Sequence, residues 1–222
     1  EYKQNVVDYM IREYQAGRTP NPDVMCNQEV KFKLFLEAAL AAGAEYIATG
    51  HYARTSEGHL LRAHDDNKDQ TYFLYRVTSE ALAKTMFPLG DFTKAEVREM
   101  AKERGLWTAS KKESMGICFV GQVGIREFLS EYVESKPGNI IDQQTGVVIG
   151  RHDGVIFYTL GQRHGLNVGG GLPYYVVGKD MNKNEVYVSR SIDNGNLWRK
   201  ELTLTDVHWI NRPPEKDETV QV

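Results

Sequence analysis

Two cysteines, Cys26 and Cys118, stand 92 positions apart. A cysteine thiolate is a nucleophile and a metal ligand, so both positions are candidates for chemistry. Cys26 follows the loop Thr19-Pro20-Asn21-Pro22-Asp23 and precedes a periodic apolar segment, which places it just before a helix N-terminus with Asn27 as the cap. Unpaired backbone N–H groups and the helix dipole favour a thiolate there. Asp23, three residues earlier, can bring a carboxylate beside that sulfur or beside a substrate, or can organise the proline-rich turn. Cys118 lies in Ser114-Met115-Gly116-Ile117-Cys118-Phe119-Val120-Gly121, preceded by Lys111 and Lys112. That context reads equally as a mobile electropositive loop and as a buried strand over Ile117–Val120. No CxxC pair and no histidine at zinc-finger spacing accompany either cysteine, which excludes a disulfide scaffold and a structural zinc site. The bland alternative is two small buried hydrophobes.

Further polar groups gather at Gly50-His51, at Lys68-Asp69-Gln70 ahead of Tyr72-Phe73, at Arg151-His152 and at Gln162-Arg163-His164. Such side chains contact phosphates and base edges, although charged loops are more often solvated faces. The six histidines show no metal-ligand spacing, and no Ser-His-Asp arrangement is visible.

The elements that must position these residues follow from periodicity. Val7, Met10, Ile11 and Tyr14 predict an amphipathic helix over 2–16, stopped by Gly17. Pro20 and Pro22 predict a stiff extended loop. Phe32, Phe35, Leu36, Ala39 and Leu40 mark the next helix, ended by Gly43, and Glu45–Thr49 reads as a buried strand. A strand followed at once by Gly50-His51 is the pattern of an open α/β sheet, where ligands gather at the carboxyl ends of strands. Thr93-Lys94-Ala95-Glu96 is a capping box for a helix that runs to Gly105, and Ile125, Phe128, Leu129, Tyr132 and Val133 predict another, closed by Pro137-Gly138. Beyond about residue 140 come short β-rich runs: Val147–Ile149, Val155–Leu160, Tyr174–Val177, Glu185–Val188 and Leu202–Ile210. They suggest a small sheet or barrel, and the alternation Thr219–Val222 resembles a strand in mid-course.

Composition removes several classes. With 222 residues, 41% hydrophobic and 26% charged, the chain is neither disordered nor too short for a sizeable core. Its longest apolar run, Ala38–Ala42, is far shorter than the roughly 20 residues of a membrane span. The first residues form no signal peptide, so the expected compartment is the cytoplasm, with no membrane partner. Twenty-seven Lys and Arg against thirty Asp and Glu leave a net charge of -3, which argues against a broadly basic nucleic-acid-coating protein but allows a local basic stripe.

In order along the chain, Gly17-Arg18-Thr19-Pro20-Asn21-Pro22-Asp23-Val24-Met25-Cys26-Asn27, Ala48-Thr49-Gly50-His51-Tyr52-Ala53-Arg54, Lys68-Asp69-Gln70-Thr71-Tyr72-Phe73-Leu74, Phe87-Pro88-Leu89-Gly90, Gly116–Gly121 and Phe157–Arg163 resemble the bacterial tRNA-specific 2-thiouridylases. The resemblance implies an enzyme that adenylates O2 of the wobble uridine with ATP, Mg expected, and replaces it with sulfur from a cysteine persulfide. Cys118 would carry the persulfide. Cys26 would attack it or close a disulfide with Cys118 afterwards. Asp23 would act as general acid/base, with Asn21 and Pro22 shaping the pocket for a flipped-out base. Gly50 would approach the nucleotide, and His51, Lys68, Asp69 and Gln70 would contact tRNA. The implied partners are a tRNA with a wobble uridine and a sulfur-relay donor protein, with no tightly bound metal.

The implied fold is α/β: the remainder of a Rossmann-like ATP-pyrophosphatase domain over 1–120, a small α/β central tRNA-binding domain over 121–198, and the start of a C-terminal β-barrel over 199–222. Residues about 85–106 are candidates to join the central domain. The family's Ser-Gly-Gly-x-Asp-Ser pyrophosphate loop has no counterpart in these 222 residues, so the chain alone is expected to be inactive. The competing readings are a non-catalytic RNA-binding module and an ATP-pyrophosphatase-type ligase acting on a small metabolite; paired thiols favour the thiouridylase.

Overall fold

A computed structural model of the chain describes residues 3–111, 125–169, 171, 173–191, 197–198, 201 and 203–219. Cys118, the segment Gly116–Gly121 and the final residues 220–222 lie outside the described residues. The chain divides into two compact units that are not contiguous in sequence: Glu1–Val6, Pro22–Cys118 and Asp206–Val222 form the first, and Val7–Asn21 with Phe119–Thr205 the second.

In the first unit, strand β1 (Ile47–Ala48) pairs parallel with β4 (Thr85–Met86), and the intervening sequence forms a separate antiparallel hairpin of β2 (Arg54–Ser56) and β3 (His59–Leu61). Phe32, Leu36, Ile47, Ala53, Leu74, Val77, Ala81, Leu82 and Phe87 form its core, and Ile210 from the far end of the chain packs against it. The helical run that bears Cys26 differs from the sequence expectation. It starts at Pro22, continues as α-helix over Pro22–Met25, widens to π-helix over Cys26–Phe35 and closes as α-helix over Leu36–Ala41. Proline fits the first helical position because its missing N–H would have no partner there and its fixed φ is helical. Pro22 therefore begins the helix instead of prolonging the loop. Cys26 consequently sits a turn inside the run, not before its N-terminus, and Asn27 is no cap. Asp23 occupies the first turn in its place.

The capping box appears as expected: Glu96 N–H donates to Thr93 Oγ1 at 3.3 Å and Thr93 N–H to Glu96 Oε2 at 2.7 Å, heading the helix Lys94–Glu103.

In the second unit, four strands lie in the order β6-β5-β8-β7, where β5 is Gly138–Asp142, β6 Val148–His152, β7 Tyr175–Asp180 and β8 Glu185–Ser189. β5 pairs antiparallel with β6 and parallel with β8, and β7 pairs antiparallel with β8. Ile140, Val176, Val186 and Val188 are fully buried in its core. Val155–Leu160, expected as a strand, is a 3-10 turn over Val155–Phe157. Val155, Ile156 and Tyr158 still face the core, so the apolar pattern was sound while its geometry was not. Residues 203–210 contain no strand. The helix Asp8–Gln15 belongs to this unit and ends as expected at Gly17, whose φ of +76° few other residues adopt without strain.

Candidate functional site

The first unit gathers chemistry at the carboxyl end of β1. Gly50 is exposed there, and the two residues after it are gripped by the protein. His51 is packed against both Phe32 and Phe87, with ring centroids 5.7 and 6.2 Å away, and its Nδ1 lies 2.9 Å from the Thr49 hydroxyl. Burial, with a smaller contribution from the Lys31 charge, pushes its imidazole down to about 4. His51 is therefore neutral at physiological pH, which makes it a hydrogen-bonding group rather than a cation for phosphates.

Tyr52 is locked to the loop that carries the second cluster. Gln70 N–H donates to Tyr52 O at 2.8 Å, and Tyr52 N–H donates to Gln70 Oε1 at 2.9 Å. Asp69 is similarly committed. Its Oδ1 accepts from Ala63 N–H at 3.1 Å, and its Oδ2 accepts from the Thr71 hydroxyl at 2.8 Å and from Arg62 Nε at 3.4 Å. Burial alone would raise the Asp69 carboxyl, but these hydrogen bonds outweigh it and hold the group below the usual carboxylate range. Asp69 and Gln70 thus shape the loop, which also carries the cationic Lys68.

Gly50, Lys68, Asp69 and Gln70 line one mainly polar cavity of about 380 Å³ together with Tyr52, Asn67, Tyr72, Phe73 and Lys94. Four residues nominated from the sequence therefore meet in one place. Asn21, Pro22, Asp23, Cys26 and His51 are not part of its wall. The helical run that carries Asp23 and Cys26 is nevertheless fastened to the same region. Asn27 Nδ2 donates to Phe73 O at 3.1 Å, and Phe32 contacts His51. Cys26 is only 6% exposed, so a second thiol reaches it only after local opening.

Lys94 could be recognised from sequence only as part of a capping box. Its place in the cavity depends on Asp65, whose Oδ2 accepts the Lys94 N–H at 2.8 Å, a contact across 29 positions that no local pattern signals. In the second unit, Arg151 is exposed but His152 is buried against Tyr158, with ring centroids 5.4 Å apart, because neighbours on strand β6 face opposite ways. Arg163 and His164 are exposed and line a separate cavity of about 410 Å³. Gln162 is spent on the turn: its Oε1 accepts from Thr159 N–H and its Nε2 donates to His164 O.

The residues described fit only part of an ATP molecule. Gly50 offers exposed backbone at a strand end, but the amides of Tyr52, Asn67, Lys68, Gln70, Phe73 and Lys94 are all bonded within the protein. Six of the nine amides in the cavity wall are thus already committed, and among the described residues there is no cluster of His, Cys, Asp and Glu able to hold a metal ion. Nor is any helix among them long and apolar enough to cross a membrane.

Comparison with known proteins gives the same architecture. Residues 1–122 match the tRNA methyl transferase HUP domain and residues 126–190 the tRNA methyl transferase PRC-barrel domain. The chain is 52% identical to the tRNA-specific 2-thiouridylases MnmA of Bacillus cytotoxicus and Bacillus cereus, and 51% identical to that of Bacillus anthracis, in each case over 98% of its own length. It spans about 60% of the length of these curated relatives. With a Rossmann-like parallel strand pair in the first unit and a four-stranded sheet in the second, the chain belongs to the tRNA methyl transferase family, as a HUP domain followed by a PRC-barrel domain.

Proposed function

We propose that this chain carries the tRNA and sulfur side of a tRNA-uridine 2-sulfurtransferase, thiolating C2 of the wobble uridine. The observation that supports this most directly is the convergence of Gly50, Lys68, Asp69 and Gln70 on one polar cavity, in the unit whose helix bears Asp23 and Cys26. Identity of about half to relatives named as tRNA-specific 2-thiouridylases adds to it. Family descriptions speak of methyl transfer, but release of sulfur from a protein persulfide by thiol–disulfide exchange uses a pair of thiols, and the chain has two cysteines.

In this reading Asp23, in the first turn of its helix, moves the proton at the target base, and Asn21 and Pro22 flank it. Cys118 holds the persulfide. The Cys26 thiolate attacks the inner sulfur, so that an S–S bond forms between Cys26 and Cys118 while the terminal sulfur leaves toward C2 of the uridine. A reductant must then restore both thiols. ATP with Mg would supply the adenylyl group on O2, so that the C2–O2 bond breaks with AMP departing as the new C2–S bond forms; the chain's own contribution in this reading is binding, proton handling and thiol chemistry. A sulfur-relay protein would load Cys118, and the compartment would be the cytoplasm.

The test joins the pyrophosphate-binding segment of a relative upstream of the chain and measures 2-thiouridine in tRNA with ATP and a persulfide donor. Wild-type thiolation with loss in both Cys118→Ser and Cys26→Ser is the expected result. Retained thiolation in both variants would make the thiols structural and favour a non-catalytic RNA-binding module.

A further inference from the structure

The cavity at the end of β1 contains two side chains that the functional reading does not use. Tyr72 stands at its rim with 61% of its surface exposed, backed by the Phe73 ring at a centroid distance of 4.0 Å. An exposed aromatic ring supported on one side by a second ring is a platform for a flat π-system. Lys94 also lines the cavity, its ammonium 5.4 Å from the centre of the Tyr52 ring and its backbone fixed by Asp65. Lys68 lines the same cavity, and Asp69, the one acid in the wall, is already paired with Arg62. An aromatic face beside two lysines is the chemistry of a nucleotide: a base to stack and a phosphate to neutralise.

A nucleotide could come from an RNA strand or from free ATP or AMP. The wall favours the strand. A free polyphosphate is normally held by convergent backbone amides, and six amides around this cavity already have partners in the protein. Lysine ammonium groups without such a cradle suit a single phosphodiester. We propose that Tyr72 and Lys94 form a nucleotide subsite for tRNA, Tyr72 stacking on a base and Lys94 contacting the adjoining phosphate. This inference rests on the tRNA reading above.

The experiment measures binding of labelled tRNA to the 222-residue chain over a range of salt concentrations, with Tyr72→Ala, Tyr72→Phe, Lys94→Gln and wild type, and repeats each titration with excess AMP and ATP. Thermal melting of each variant verifies that it is folded. Tyr72→Ala should weaken binding about tenfold with an unchanged salt slope, while Tyr72→Phe binds as wild type. Lys94→Gln removes the charge, and with it the contact of the ammonium with the Tyr52 ring, and should reduce the slope of log K against log salt by about one. If the wild type binds tRNA and the folded variants match it in affinity and slope, the subsite is wrong and the tRNA reading stands. Displacement of tRNA by AMP or ATP that depends on Tyr72 would assign the cavity to a free nucleotide and overturn the inference. A wild type that binds no tRNA overturns both.

Discussion

Asn27 Nδ2 donates to the carbonyl of Phe73 at 3.1 Å, joining the helix that carries Cys26 to the loop that carries Lys68. Asn27 is 1% exposed, and the bond is partly buried. Replacement by leucine keeps the bulk and leaves the Phe73 carbonyl unpaired, at a cost of about 1–3 kcal/mol. The expected outcome for Asn27→Leu is a lower denaturation midpoint together with weaker tRNA binding, read by urea unfolding and by titration. Loss of stability with binding intact would show that the loop holds its position without this bond.

His51 makes stability depend on pH. In the unfolded chain it takes a proton near 6.5, but in the folded protein only near 4. Its contribution is therefore complete above pH 6.5 and is lost as pH falls toward 4. At about 1.4 kcal/mol per pH unit, the wild type should lose roughly 2 kcal/mol between pH 7 and pH 5 on this account. Urea unfolding at both values, compared with His51→Gln, checks it: the variant should lose about 2 kcal/mol less over that interval.

Gly90 approaches the backbone so closely that a Cβ there would lie 1.9 Å from the Ala53 carbonyl oxygen. Backbone cannot step aside as a flexible side chain can. Gly90→Ala is expected to destabilise the first unit by at least about 3 kcal/mol, above the usual range for a single substitution. Circular dichroism melting of the variant would reveal it, and a melting point within a degree or two of wild type would contradict the contact.

Thr93→Ala removes one half of the capping box at the helix Lys94–Glu103. The expected cost is about 1 kcal/mol, with a Tm drop of a few degrees. Because the substitution also loosens the first helical residue, Lys94, tRNA binding should fall modestly in parallel.

What could be read in the sequence was what neighbours in sequence decide. The Thr93–Glu96 box, the stop at Gly17 and the strand before Gly50 are local, and each lies where the pattern put it, the strand being shorter than expected. Pro22 misled because a proline can end one element or begin the next, and only packing distinguishes the two. Val155–Leu160 misled because a short apolar run is shared by a strand and by a 3-10 turn pressed against a core. At the candidate site, Gly50 and Lys68 through Gln70 were legible as motifs. The division of labour among them was not, since it rests on Asp69 meeting Ala63 and Gln70 meeting Tyr52. Lys94 was invisible as a site residue for the same reason.

The late segment that completes the first unit sets a timetable for the living chain. Arg76 pairs with Asp206 across 130 positions, Asn211 Nδ2 reaches the Gly58 carbonyl across 153, and Ile210 covers the core. At translation rates of about 5–20 residues per second, the ribosome needs on the order of ten seconds after making Arg76 to supply its partner. Throughout that interval the first unit waits with part of its apolar surface uncovered, while the sequence of the second unit emerges between its two parts.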